Sequence, residues 1–204
     1  MRILDAADQK SAAHRAKQPC GQVPTLEEDG RPPMFESGAL VWTVAERAGV
    51  LIPTGAVQRA RILEWYFAAL KTIEGVPMNI AEAEFFLPDE AAKAGRRPQV
   101  LPFAHHRLGR LHAALGDHDW LVGDTFSVDD FIMSSGLKIA VSVDLLIKYP
   151  ELETFRHAAW TVPPIEGRST TNAPSSPHTV LRTCVTRRPG APQVNAQRRR
   201  RANV

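Results

Sequence analysis

The sequence predicts an α+β chain that is mostly helical, with a small mixed α/β unit first and an all-helical unit after it. Three observations carry this reading. An Asp29-Gly30 pair, the residue types a tight turn needs, separates two short extended segments near the amino end. Apolar residues then recur at helical spacing in successive stripes from Ser37 to about Lys148. From Thr161 the periodicity stops, and the last 44 residues hold six prolines, eight arginines and no recurring apolar face. The expected divisions are 1–50, 56–160 and a disordered basic tail over 161–204, because such a tail buries too little apolar surface to offset its ordering entropy.

Taken in order, Ile3-Leu4 is too brief to count as a convincing strand, and Ser11 to Gln18 is an Ala-rich stretch able to form two helical turns. Val23 to Gly30 and Arg31 to Glu36 make the hairpin, and Pro32 and Pro33 confine the returning strand to a sheet edge, since each removes a ladder donor. Ser37 opens a helix with Leu40, Val41, Val44 and Ala45 on one face, and Gly49 ends it. After the linker Pro53-Thr54-Gly55, residues 56–86 carry a long helical pattern (Ile62, Leu63, Phe67, Leu70, Ile73), interrupted near Gly75-Val76-Pro77. Segment 88–99 is polar, with Pro88, Gly95 and Pro98. Ala104, Leu108, Leu111 and Leu115 form the next stripe, completed by Trp120-Leu121-Val122, and a third strong helix runs from Ser127 toward Lys148.

Charge and composition exclude several classes of function. The formal net charge is +3, but the last 44 residues hold eight of the 25 Lys and Arg and one of the 22 Asp and Glu. The body is therefore mildly acidic, and the basic balance does not make it a nucleic-acid binder. Arg198 to Arg201 read as a solvated tail end. No stretch approaches 18 consecutive apolar residues, so no membrane partner is expected. Asp5 and Asp8 come too early for a signal peptide. Two cysteines, Cys20 and Cys184, rule out a disulfide framework or a Cys-rich zinc module, which places the chain in a reducing, cytoplasmic setting. His105, His106 and His112 lack the partners of a metal site and read as surface imidazoles, while Trp42, Trp65 and Phe67 read as core or interface.

The most specific signal is Gln22-Val23-Pro24 followed, one hairpin later, by Glu36-Ser37. A cis bond before Pro24 swings the polar groups of Val23 outward, where an extended peptide can pair with them. Glu36 and Ser37 lie where the second strand hands over to a helix. A helix N-terminus with a hydroxyl suits a carboxylate, and an adjacent Glu suits an ammonium. An α-amino-acid head group carries both charges. Read without those partners, the same residues are a turn and a helix cap.

GQVPTLEEDG followed by FESGALVWTVAERAG resembles the thioredoxin-like domain of the cytosolic glutathione transferases, and LGRLHAALGDHDWLVGDTFSVDDFIMSS resembles their helical C-terminal domain. The likeness covers roughly residues 10–157. It implies a partial thioredoxin-like glutathione-binding domain over 1–50, a helical domain after it, and transfer of the glutathione thiol to a small electrophile in detoxification chemistry. Glutathione is then the co-substrate, with no cofactor, and a homodimer is the implied assembly. By position, Val23 pairs its main chain with the cysteinyl part, Glu36 and Ser37 hold the γ-glutamyl head group, Gln22 reaches the main chain or glycyl end, and Pro24 is structural. Ser127 and Asp130 form the capping box of the buried helix, with Phe126 and Phe131 as a hydrophobic staple, and Asp130→Ala is expected to cost roughly 1 kcal/mol or more. Cys20 reads as an ordinary small residue.

The resemblance lacks the family's opening strand and helix, whose junction supplies the residue that stabilises the thiolate. No catalytic residue is therefore assigned. The alternatives are a non-catalytic glutathione-fold binding module or an inactive truncated product. The same gap predicts an unpaired inner edge on the hairpin, no neighbour for Ile3-Leu4, and a first unit less stable than the helical one.

Overall fold

The computed structural model describes residues 2–162 and 182–186. The chain divides into two compact units. One contains the residues up to Leu40 together with a strand at Arg182–Thr186, and the other begins at Val41.

The first unit opens with β1 (Arg2–Leu4), α1 (Ala6–Lys10) and α2 (Ala12–Arg15). Helix starts earlier than the Ala-rich stretch suggests because Asp5 caps α1, accepting from the backbone N–H of Ala7 at 2.8 Å and of Asp8 at 2.7 Å. Ser11 sits in extended conformation between the helices and its hydroxyl accepts from the His14 N–H at 3.1 Å, which starts α2. Strands β2 (Thr25–Glu27) and β3 (Met34–Phe35) form the expected hairpin, with Thr25 opposite Phe35 and Leu26 opposite Met34. Gly30 turns the chain at φ 73°, a conformation without steric cost only for glycine, and the Arg31 N–H donates to the Glu28 carbonyl at 3.1 Å.

The strand order is β1-β4-β2-β3, with β4 at Arg182–Thr186. It runs parallel to β1 (Ile3 opposite Val185) and antiparallel to β2 (Leu26 opposite Thr183). This corrects two expectations: the inner edge of the hairpin is paired, and Leu4 has a strand neighbour. The physical reason is the ladder itself, since each open edge presents donors and acceptors that an extended segment satisfies. The two prolines do leave β3 on the outside. Of the tail expected to lack structure over 161–204, Thr161 is the last residue of a helix, Val162 follows it and Arg182–Thr186 is strand; Arg198 to Arg201 and the rest lie outside the described residues.

Helix α3 (Ser37–Ala48) follows β3 directly. The second unit continues with α4 (Ala56–Phe67), a π-helical segment Ala68–Ile73, and α5 (Gly75–Phe86). The interruption expected at Pro77 falls earlier. Pro77 occupies the first turn of α5, where a missing N–H has little consequence, and the irregularity is the widened turn closed by Glu74 N–H donating to the Ala69 carbonyl at 2.9 Å.

The next helix also departs from expectation. Helix α6 spans Glu90–Leu115 and absorbs the segment read as polar and broken. Asp89 caps it, accepting from the Ala91 N–H at 3.0 Å. Pro98 and Pro102 lie one turn apart on an exposed face, so the carbonyls they leave unbonded face water. Arg97 ties the helix inward by pairing with Glu84 and donating to the Val143 carbonyl at 2.7 Å. Trp120-Leu121-Val122 is loop rather than helix.

Helix α7 (Val128–Ser142) is the buried centre of this unit, with Val128, Met133, Leu137 and Ala140 fully enclosed. A short 3-10 turn (Leu146–Lys148) and α8 (Pro150–Thr161) complete the unit. The staple rings separate: Phe126 meets Trp120 edge-on at 4.9 Å between centroids, and Phe131 lies 6.0 Å from Trp160. Trp42 packs on Tyr66 in the core, Trp65 is half-buried and Phe67 is exposed. Among the described residues no helix is long and apolar enough to cross a membrane.

Candidate functional site

The site is built at one end of the β2–β3 hairpin. Thr25 pairs with Phe35, so the residues one step beyond, Pro24 and Glu36, leave the ladder side by side. Strands in a sheet lie about 4.8 Å apart, which puts Val23 and the start of α3 within reach of one small ligand.

Val23–Pro24 is cis, as expected. Among the described residues, neither the N–H nor the C=O of Val23 has a hydrogen-bond partner. Gln22 exposes its side chain, while its carbonyl is held from below by the ring of His14, with Nε2 at 2.8 Å. Gly21 adopts φ 66° and donates to the Gln18 carbonyl at 3.0 Å, the turn that delivers Gln22 to this position. Beneath the loop lie three buried polar side chains, His14 at 7%, Gln18 at 1% and Thr25 at 1% exposed.

Glu36 has φ 70°, in the left-handed region that a non-glycine residue enters at a cost of about 1–2 kcal/mol. Such an outlier points to a positional demand at that residue. Its carbonyl still accepts from the Leu40 N–H at 3.0 Å, so Glu36 closes the first turn of α3 while its side chain is turned out to solvent. Ser37 is exposed as the first residue of that 12-residue helix. Among the described residues, neither side chain is engaged in a hydrogen bond or ion pair. An acidic group, a hydroxyl and a helix N-terminus thus converge where the sequence reading put them.

His14, Gln18 and Thr25 were not picked out from the sequence. The one available signal was Ser11-x-x-His14 in an otherwise Ala, Arg and Lys stretch, where a hydroxyl cap fixes a lone imidazole. Cys20 is a free, exposed loop residue.

Ser127 and Asp130 make the expected capping box and lie in the second unit, as structural residues. Both are buried, Asp130 at 0% exposed. Its Oδ2 accepts from the Ser127 N–H at 2.9 Å, and its Oδ1 accepts from the Leu121 N–H at 2.9 Å. The Ser127 hydroxyl donates to Asp129 Oδ1 at 2.5 Å. Burial, with the neighbouring Asp129 carboxyl, pushes Asp130 up to about 7, and burial raises Asp129 as well. Beside the box is a cavity of about 310 Å³, lined by Leu51, Ile52, Ile62, Val122, Phe126 and Ser127 among others.

His105, His106 and His112 fall on the helical unit. His106 is exposed, whereas His105 is half-buried beside Tyr149 and its pKa is lowered by burial and by Lys148 and Arg97. His112 reaches Glu151 at 3.1 Å. Among the described residues no group of three or more His, Cys, Asp or Glu is placed to hold a metal ion.

No family model matches the chain, and no curated protein does. Solved structures do. A glutathione S-transferase from Xanthobacter autotrophicus matches at 22% identity over 80% of both chains, with a TM-score of 0.69. One from Pseudomonas fluorescens matches at 24% identity over 76% of this chain and 78% of its own, TM-score 0.65. A glutathione transferase from Burkholderia graminis, solved with two glutathione molecules bound per subunit, matches at 23% identity over 76% of this chain and 70% of its own, TM-score 0.65. The chain has the fold of the glutathione S-transferases, a partial thioredoxin-like unit joined to a helical one.

Proposed function

We propose that this chain binds glutathione at the end of the hairpin and delivers its thiol to a small electrophile, as a glutathione transferase does. The carrying observation is Glu36, held at φ 70° with its carboxylate exposed at the start of α3, beside the main chain of Val23, which has no hydrogen-bond partner among the described residues. The Glu36 carboxylate takes the ammonium of the γ-glutamyl head group, and Ser37 with the first turn of α3 takes its carboxylate. The N–H and C=O of Val23 pair with the cysteinyl main chain, and Gln22 reaches toward the glycyl end. Fold-matched proteins solved with glutathione bound support this reading.

In the transfer step the thiol gives up its proton to solvent water, sulfur bonds to the electrophilic carbon, and the displaced group leaves with the electron pair of its bond. The groups named here bind and orient; no residue is assigned to hold the thiolate. Pairing of two copies and a cytoplasmic setting belong to the same proposal.

Calorimetric titration of the full chain with glutathione, followed by a conjugation assay with a chromogenic aryl halide, tests it. Heat and turnover support the transferase. Heat without turnover favours a glutathione-binding module. No heat from a chain whose hairpin is folded overturns both.

A further inference from the structure

We propose that His14 is a positioning residue of the glutathione clamp, acting through the Gln22–Val23 peptide unit; this rests on the functional reading above. The ring is buried, and its Nε2 lies 2.8 Å from the Gln22 carbonyl oxygen. A carbonyl oxygen only accepts, so Nε2 carries the proton and donates. That fixes the ring's role at this atom.

The consequence follows from peptide geometry. The C=O of Gln22 and the N–H of Val23 belong to one planar unit, and this bond is trans, since the cis bond lies one residue later. In a trans unit the two groups point in opposite directions. Drawing the carbonyl down onto a buried imidazole therefore turns the Val23 N–H the other way, away from the interior. That N–H has no partner among the described residues, and it is the donor the clamp requires. A hydrogen-bonded carbonyl also polarises its own peptide N–H and strengthens it as a donor.

His14 is itself held in place. Its N–H donates to the Ser11 hydroxyl at 3.1 Å, and its carbonyl accepts from the N–H of Lys17 and of Gln18, each at 2.9 Å. The short helix α2 thus works as a bracket, carrying the imidazole that sets the angle of a peptide plane eight residues away. Gln22 contributes to the site through its backbone, apart from anything its exposed side chain does.

The test uses the full chain and two variants, His14→Leu, which keeps bulk and removes the donor, and His14→Gln, which restores an N–H donor. Glutathione affinity is measured by calorimetry. Affinity for free L-glutamate, which offers the head group without the cysteinyl main chain, is measured by NMR titration. Folding of each variant is followed by circular dichroism. A net hydrogen bond of about 0.5–1.5 kcal/mol corresponds to a change of roughly 2- to 13-fold. His14→Leu is expected to weaken glutathione by that factor, leave L-glutamate within about twofold on the same scale, and shift the Val23 amide signal upfield. His14→Gln is expected to recover most of the glutathione affinity.

Equal glutathione binding by His14→Leu and the unsubstituted chain overturns the proposal alone. Parallel loss of both ligands with no recovery in His14→Gln also overturns it, by making His14 a folding residue only. Absence of glutathione heat from the unsubstituted chain overturns the functional reading, and this proposal with it.

Discussion

Replacing Asp130 by alanine removes the acceptor for two backbone donors at once, the N–H of Ser127 and that of Leu121, each 2.9 Å from a carboxyl oxygen. The box alone, as read from the sequence, suggested about 1 kcal/mol. The second donor raises that figure. The buried Ser127 N–H left without a partner costs about 1–3 kcal/mol and the part-buried Leu121 N–H at most as much again, so the gross loss is about 2–6 kcal/mol. Relief of crowding with the Asp129 carboxyl offsets part of it, leaving roughly 2–4 kcal/mol. For a chain of this size about 1 kcal/mol moves Tm by roughly 3 °C, so Asp130→Ala should melt roughly 6–12 °C lower. Circular dichroism at 222 nm reads the helical unit directly, because α7 lies at its centre. Asp130→Asn, able to accept only one of the two donors, should fall between. A shift below about 2 °C for Asp130→Ala would refute the reasoning, because it would mean that neither N–H depends on this carboxyl.

The same carboxyl predicts how stability varies with pH. Its folded pKa, about 7, stands above the ordinary value of 3.8, so the folded state holds the proton more tightly than the unfolded one. The stabilisation is complete below about pH 4 and is lost as pH rises through about 7; Tm of the unsubstituted chain should fall across that window, and less steeply in Asp130→Asn. Glu36→Gly relieves left-handed backbone at the cost of the carboxylate, so thermal stability should hold or rise while glutathione binding weakens at least about tenfold; a fall in both would show that Glu36 serves the fold. Deleting residues 163–204 removes β4, so amide exchange at Leu4, Leu26 and Glu27 should accelerate while α7 stays protected; unchanged exchange at Leu26 would dismiss the strand. In the full chain, slower exchange in α7 than in β2 is expected, and equal protection would contradict it.

Local chemistry was legible. The capping box, the Asp29-Gly30 turn and the Ser37 helix start are decided by residues within a few positions of one another. The placement of Val23, Pro24, Glu36 and Ser37 at one end of the hairpin was legible because they are spaced by one strand-turn-strand unit. Three things were not. Helix α6 hides its first half because Gly95 and Pro98 read as breakers, and only their exposure on one face, shared with Pro102, explains why the helix survives them. His14 contacts a backbone carbonyl, a relation that no side-chain pattern records. Strand β4 is five residues within a stretch whose overall composition argues against order, and its partners lie more than 150 positions away in sequence.

That last distance bears on synthesis. A ribosome releases strand β2 of the hairpin more than 150 residues before the segment that sits between β1 and β2. Helices α4 to α8 have all emerged by then and can settle as a bundle from contacts among themselves. Strands β1 and β2 must wait, each with an exposed ladder, until that segment arrives. A sheet begun before the bundle is therefore completed after it.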